Sequence, residues 1–545
     1  MINVVIIGGG IAGLSCATIL CEIPNVRITI YEKEYQIGGQ ACSEYNGKCF
    51  TEYSWRIFGE SYYNLLYIFN KLKIMDNFEY LNKHCFVEGI DSSSANFSLY
   101  NQMSKILKYV NVTDLYKYFD IFLQCKDRLI NDYRNVNANN YYNNNPIIQS
   151  ILGPFLGMET YKVSLSGALK NIYSVADNKK YDFLPKTSLI TKYPTQQSIF
   201  DTWSKYLKNK GVSIILNHSL ENIHIKDNKI KYITVNNENI YANEYVFACS
   251  IKPIINIIKT NRYNISTFNK IVKMEKDLQL YFTINIYFSE KLNESDECKE
   301  IVIVDMPWKP IIQKKRTWGE KYLKYCNINN RKIKDVWNVG FLDYVPGLYN
   351  KKILSDCSIK EAITEGILQV KNSEYIQKLL HEKNKKFDDI YIGYDYWNQF
   401  VENKNGKIIS ENPKFSINVD TMNNMPITHN NDLPTNMLFA GYYVNSSMGG
   451  VSMEASCETG LNAGKYIIDK YKLPYNDILP IKHQNENLSS LFIPFTILDK
   501  YLYKNKLSPI KNYVNSVILV IFYFIFIIIL LLYIIFTIIN KIYKK

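Results

Sequence analysis

Three glycines and one carboxylate set out the chemistry open to this chain. Gly8, Gly10 and Gly13 follow directly on the apolar run Val4-Val5-Ile6-Ile7, and Glu32 lies 19 residues beyond Gly13, at the end of a second run from Arg27 to Tyr31. Glycine permits a tight turn at the first position. At the second it lets the backbone approach a diphosphate, and at the third it lets a helix lie against the strand. A helix opening at Ile11 and Ala12 aims free N–H groups and its positive dipole end at that point. A carboxylate at the spacing of Glu32, with Lys33 beside it, can accept hydrogen bonds from ribose hydroxyls. A bare glycine turn is the plainer reading, and the flanking strands, helix and acid argue against it.

A second glycine pair, Gly38-Gly39, followed by Gln40, allows another close backbone approach. A distant stretch completes the set. A strand in Asn436–Tyr443 ends at Gly441, next to Tyr442. A helix then starts near Ser452 and Met453 with small residues at Ala455, Ser456, Gly460, Ala463 and Gly464, which would let it pack closely on the sheet.

These motifs resemble the FAD-binding segments of the flavin-containing amine oxidoreductase superfamily. They are most similar to its phytoene desaturase-like branch, as is Glu52-Tyr53-Ser54-Trp55-Arg56-Ile57-Phe58-Gly59 with Tyr62-Tyr63-Asn64. The resemblance implies a non-covalent FAD contacted by Gly8, Gly10, Ile11, Ala12, Gly13, Glu32, Lys33, Gly39, Gln40, Arg56, Leu220, Gly441, Tyr442, Ser452 and Met453. It implies hydride abstraction from an apolar (lipid or isoprenoid) or amine substrate. Many relatives carry Arg or Lys where Gln40 stands and an acid where Tyr442 stands, which motivates a non-catalytic scaffold as one alternative. A flavin-dependent isomerase or mutase without net redox change is another. Only one glycine fingerprint is present, so the substrate is the expected electron donor, with oxygen or a quinone as acceptor. No nucleophile triad or acid–base dyad is discernible, and no catalytic residue is assigned. Trp397, Tyr442 and Tyr443 are candidate pocket walls. Arg56 is a candidate partner for a cofactor phosphate or the flavin edge. His429 reads more simply as a loop histidine.

The elements that must position these residues follow from length and patterning. A chain of 545 residues, 47% apolar, calls for two or three domains. The resemblance implies an α/β arrangement of them: a discontinuous Rossmann-type FAD-binding domain (1–75, 191–255, 391–472) and an inserted α+β substrate domain (76–190, 256–390), after which the patterning adds a linker (473–513) and a transmembrane helix (514–540). Alternation over Leu278–Phe288 predicts a half-buried strand, joined by Glu300–Val304 and Val336–Asp343 in an antiparallel sheet. Helices are expected at Tyr62–Leu72, Ser198–Asn209 and Ile359–Val370. The asparagine-rich tract 135–145 reads as a surface insertion.

The net charge of +13 comes from 64 basic and 51 acidic side chains. The lysines are scattered and not interleaved with aromatics, so no nucleic-acid partner is expected. The 11 cysteines show no CxxC pair and the six histidines do not cluster with them, so no metal is expected and free thiols in a reducing compartment are. Val517–Ile539 is uncharged over 23 residues, roughly 34 Å as a helix against a hydrocarbon core of about 30 Å. It is expected to anchor the chain in a lipid bilayer. The first strand begins at Asn3, so no cleavable signal peptide is expected, and the catalytic domain should face the cytoplasm.

Overall fold

The computed structural model describes residues 1–81, 120–144, 161–175, 181–292, 299–475, 480–486 and 493–509, less short gaps, with the backbone of 85–87 and 95–96. The apolar run Val517–Ile539 lies outside the described residues. No described helix is long and apolar enough to cross a membrane.

The chain opens with β1 (Ile2–Ile7), whose β-branched residues suit a strand covered on both faces. It turns through the glycines into α1 (Ile11–Leu20), buried along its whole length, and returns as β2 (Val26–Tyr31). After α2 (Tyr63–Lys71), α3 (Lys126–Asp132) and α4 (Leu165–Val175), the chain comes back as β3 (Ser213–Ile215) and β4 (Glu244–Phe247). It leaves again through β5 (Tyr281–Phe288) and β6 (Asp335–Leu342). It then returns as β7 (Met437–Phe439) and α5 (Met453–Tyr471), and the described part closes with α6 (Ile493–Lys504).

Five of these strands form one parallel sheet in the order β7-β4-β1-β2-β3. The registers pair Ile7 with both Tyr31 and Phe247, and Phe247 with Phe439. The strands therefore end level. Gly8, Glu32, Ala248 and Ala440-Gly441 all emerge along one carboxyl edge, the side where open parallel sheets bind ligands.

The second sheet runs Tyr391–Tyr396, β5, β6, Ile311–Lys314, Glu300–Ile303, 85–87 and 95–96. Its pairings are antiparallel except that of Glu300–Ile303 with 85–87. The half-buried strand expected over Leu278–Phe288 is corrected on two counts. Leu278–Gln279 separates to pair with Lys414–Phe415, and every residue of β5 is buried. The polar face of β5 meets the hairpin at 43–52 instead of water: Thr283 donates to the Glu52 carbonyl at 3.3 Å and Asn285 to the Phe50 carbonyl at 2.8 Å.

That hairpin also buries an ion pair. The Glu52 carboxylate meets Lys315 Nζ and accepts from the Thr195 amide at 3.0 Å and its hydroxyl at 2.5 Å. Burial alone would raise the Glu52 carboxyl, but the charges of Lys315 and Arg56 outweigh it and hold the group below its ordinary range.

Three further expectations are corrected. Cys49 and Cys326, 277 residues apart, form a disulfide; both sit in one apolar cluster with Trp318 and Val336, which brings them together. Cys16, Cys21, Cys42, Cys125, Cys249, Cys357 and Cys457 are free. The asparagine-rich tract is not all surface: its short helix, Ala138–Tyr141, buries Ala138 in an apolar cluster with Tyr142, Leu165 and Tyr173. The stretch expected as a linker carries α6, which packs on α3.

The two ends of the nucleotide unit meet where α5 lies on α1. A Cβ at Gly460 would stand 2.1 Å from the Ala12 carbonyl oxygen, and one at Gly464 would stand 2.0 Å from Ile19 Cγ2. Beside this contact, Glu454 accepts from the Asn64 amide at 2.9 Å, the Asn64 side chain at 2.7 Å and the Leu65 amide at 3.0 Å. It thereby supplies the N-terminus of α2 with acceptors that α2 lacks. The backbone of α1 cannot yield without moving the glycine turn, so Gly460→Ala should destabilise the protein by about 3 kcal/mol, read as a lowered urea midpoint. Exposed Lys465→Ala, on the outer face of the same helix, should leave it nearly unchanged.

Candidate nucleotide and active site

A cavity of about 420 Å³ runs along the carboxyl edge of the parallel sheet to the N-terminus of α5. Of the residues implied by the motif resemblance, all but Gly13 line it. Gly13 serves behind the wall, where a Cβ would lie 2.0 Å from the Gly8 carbonyl oxygen.

The glycines divide into two kinds. Gly8 is at φ +109° and a Cβ there would meet the Ala248 carbonyl oxygen at 2.7 Å, so this position is fixed by the fold. Gly10 is in extended backbone at φ −78°, and a Cβ there would have only Gly39 Cα near it, at 3.9 Å. The fold does not require glycine at this position; the empty space does. No side chain caps α1, so its first N–H groups face a cradle with room for a diphosphate.

At the far end of β2, Glu32 is buried in the wall and accepts from the Gly9 amide at 2.6 Å and the Glu34 amide at 2.9 Å. Burial pushes its carboxyl above the ordinary range against the pull of those two hydrogen bonds. Lys33 stands at the exposed rim, 3.7 Å from Glu34. Leu220 lines the same end beside His218 and Ser219.

Gln40 and Arg56 hold the middle of the cavity in shape. The Gln40 side chain donates to the Asn412 carbonyl at 2.8 Å and the Pro413 carbonyl at 3.3 Å. It thus fastens the segment 412–414 to the second glycine pair. Arg56 is buried and donates to the carbonyls of Gln40 at 2.8 Å, Ser54 at 2.8 Å and Ala41 at 3.2 Å.

The segment held by Gln40 presents Lys414, a residue that the sequence motifs do not single out. Its ammonium lies 4.6 Å from the Tyr281 ring centroid. No ion pair or hydrogen bond engages it among the described residues. Burial, and then the charge of Arg56, bring its pKa down to about 8. Tyr53 lines the same part of the cavity, with its buried hydroxyl beside the Lys414 backbone.

At the other end, Ser452 caps α5 by accepting from the Ala455 amide at 3.0 Å, with Met453 as the first helical residue. Gly441 donates its amide to Thr459 Oγ1 at 2.9 Å. The Tyr442 hydroxyl reaches the Pro413 carbonyl at 3.5 Å. Glu458 accepts from the Ser447 amide at 2.8 Å and the Met448 amide at 3.3 Å, which orders the loop ahead of the helix.

Three candidates lie elsewhere. His429 donates from Nδ1 to the Met437 carbonyl, 2.9 Å away, and packs on Tyr466 outside the cavity. Tyr443 is buried beneath Gly441, and Trp397 lies behind Tyr53, with ring centroids 6.3 Å apart.

An FAD fits these residues. The open cradle at Gly10 and Gly39, the uncapped start of α1 and the carboxylate of Glu32 supply the contacts its parts require.

Comparison with known proteins agrees with this geometry. Residues 6–72 match the family model of the NAD(P)-binding Rossmann-like domain. No curated protein matches the chain. Similar solved structures include a putrescine oxidase bound to putrescine, at 12% identity over 86% of this chain and 99% of that one, with a TM-score of 0.57. A cyclohexylamine oxidase from Brevibacterium oxydans and a candidate protoporphyrinogen oxidase from Exiguobacterium each match at 12% identity over 86% and 99%, with a TM-score of 0.54. At this identity the likeness is one of fold. The chain carries a Rossmann-like nucleotide-binding domain set within the fold shared by flavin amine oxidases and protoporphyrinogen oxidase-like proteins, in agreement with the superfamily its motifs resemble.

Proposed function

We propose that this protein is an FAD-dependent oxidoreductase, anchored in a membrane through Val517–Ile539, that takes hydride from an apolar substrate and passes the electrons to oxygen or a quinone. The observation that carries the proposal is a single cavity that joins the glycine turn and Glu32 to the start of α5, two motifs more than 400 residues apart in sequence.

FAD bound in this cavity would supply a ring that accepts two electrons as a hydride. The chain supplies position. The Gly10–Gly39 cradle and the N-terminus of α1 would bind the diphosphate, and Glu32 would accept from ribose hydroxyls. Gly441, Tyr442, Ser452 and Met453 would hold the ring end. Tyr53, Tyr62, Ile57 and Met448 give that region an apolar wall that excludes water.

Lys414 bears on the substrate class. An unpaired ammonium in the wall repels a protonated amine and tolerates a neutral lipid or isoprenoid, so amines are the second choice. Below about pH 8 Lys414 is a cation in the cavity, and above it the side chain is neutral. Its folded pKa lies under its ordinary 10.5, so the folded state sheds this proton first and stability rises between about pH 8 and 10.5.

Three outcomes test the reading. The purified full-length protein should be yellow, and its chromophore should bleach anaerobically with a lipid or isoprenoid more readily than with any amine; a colourless preparation that binds no added FAD would end the proposal. Gly10→Val should leave the thermal midpoint of the FAD-free protein unchanged yet lower FAD affinity about 100-fold, equivalent to roughly 2.7 kcal/mol, as measured by flavin fluorescence on titration. Substrate-dependent bleaching should slow as pH rises through about 8. Lys414→Met should remove that inflection while keeping the chromophore, and stopped-flow absorbance across pH reads both.

A further inference from the structure

We infer that the outer face of α6 is a membrane-docking surface that lies in the headgroup region of the bilayer holding the carboxyl-terminal anchor. The inference rests on the anchor reading of Val517–Ile539 and adds a second, separate contact to it.

The helix is amphipathic in an inverted sense for a solvent-facing element. Ile493, Ile497, Leu498 and Tyr501, at spacings that share one face, are exposed; Ile497 and Tyr501 retain 63% and 64% of their full accessibility. Leu507, just past the helix end, extends the same character. The opposite face holds the polar anchor to the body of the protein. Asp499 is buried, receives both of its Arg128 Nε contacts at 3.0 Å, and accepts from the Cys125 amide at 2.9 Å. Arg128 also donates to the Leu507 carbonyl at 2.9 Å and stacks 5.2 Å from the Tyr503 ring. A water-facing helix would place its charge outside and its leucines inside. This one spends the only carboxylate of residues 493–507 on an internal ion pair and leaves isoleucine, leucine and tyrosine outside.

Two observations select lipid as the occupant. First, the cations are placed for it. Lys504 and Lys506 are exposed at the carboxyl-terminal end, where they can reach anionic headgroups while the apolar face enters the acyl boundary. Second, the chain runs directly on to the uncharged span. Twelve residues separate Lys504 from Val517, at most about 47 Å when extended, so the helix cannot stray far from the membrane surface. The contact also fixes how the cavity faces the bilayer. The helix α6 packs on α3, α3 packs on α4, and α4 contributes Asn171 and half-exposed Val175 to the cavity wall. The apolar face and one side of the cavity thus belong to a series of helices packed one on the next.

The test uses the full-length protein reconstituted in vesicles of phosphatidylcholine and phosphatidylserine that carry a diazirine-labelled phospholipid. Photolysis should place lipid adducts on peptides from both 493–507 and 517–539. The triple substitution Ile497→Glu, Leu498→Glu and Tyr501→Glu alters only exposed positions, and an unchanged circular dichroism melt confirms its fold. It should reduce adducts on 493–507 by about an order of magnitude and leave those on 517–539 unchanged. Adducts confined to 517–539 would overturn the docking surface and keep the anchor. Adducts in neither segment would overturn both. Adducts on 493–507 that persist in the triple variant would overturn the assignment of this face.

Discussion

The approach of α5 to α1 is the constraint on which the rest of the structure depends. The two helices touch through Gly460 and Gly464, with no space for a β-carbon at either position. Close contact buries much apolar surface, but its larger effect is positional. It sets the start of α5 beside the start of α1, so that two helix N-termini, one unfilled and one capped by Ser452, open into the same cavity. A separation even one methyl group wider would pull Ser452 and Met453 away from Gly10.

Buried polar groups then fix what apolar packing leaves adjustable. Glu454 and Glu458 project from the first turns of α5 into different neighbours, one the start of α2 and the other the loop at 447–448. Glu52 and Lys315 join the hairpin at 43–52 to the second sheet. Such a pair contributes little net stability, since desolvation offsets attraction, but loss of one partner leaves a stranded charge at a cost of about 3–5 kcal/mol. Its value here is register. The hairpin carries the chain from the second glycine pair to Tyr53 and Arg56, and a shifted hairpin would misplace both.

The nucleotide end of this arrangement was legible in the sequence because its requirements are local. A strand, a turn that needs glycine, a helix start and an acid occur in one stretch, and each is demanded by a different physical need. The small residues of α5 were legible for the same reason. The far side of the cavity was not. Lys414 belongs to no motif; it reaches the wall because Gln40, about 370 residues earlier, holds the carbonyls of Asn412 and Pro413. The disulfide between Cys49 and Cys326 was hidden by the same kind of distance. The alternation over β5 was real, yet it misled about solvent. Thr283 and Asn285 are polar because they bond the edge of the hairpin, and a period of two cannot distinguish a wet face from one satisfied by backbone carbonyls.

Gln40 shows how a departure from a motif can be a change of role. In place of a fixed cation it offers an amide, and the amide is used to brace the segment that brings in Lys414. The positive charge is thereby moved from the glycine turn to a side chain across the cavity, where burial tunes it to about 8. A guanidinium at position 40 could not have had that tuning, because its proton is held too tightly to leave near neutral pH. Arg56 supplies the permanent charge instead, surrounded by carbonyls that keep it in place. The cavity therefore combines one cation that persists and one that titrates. The second is the group through which pH would reach the chemistry.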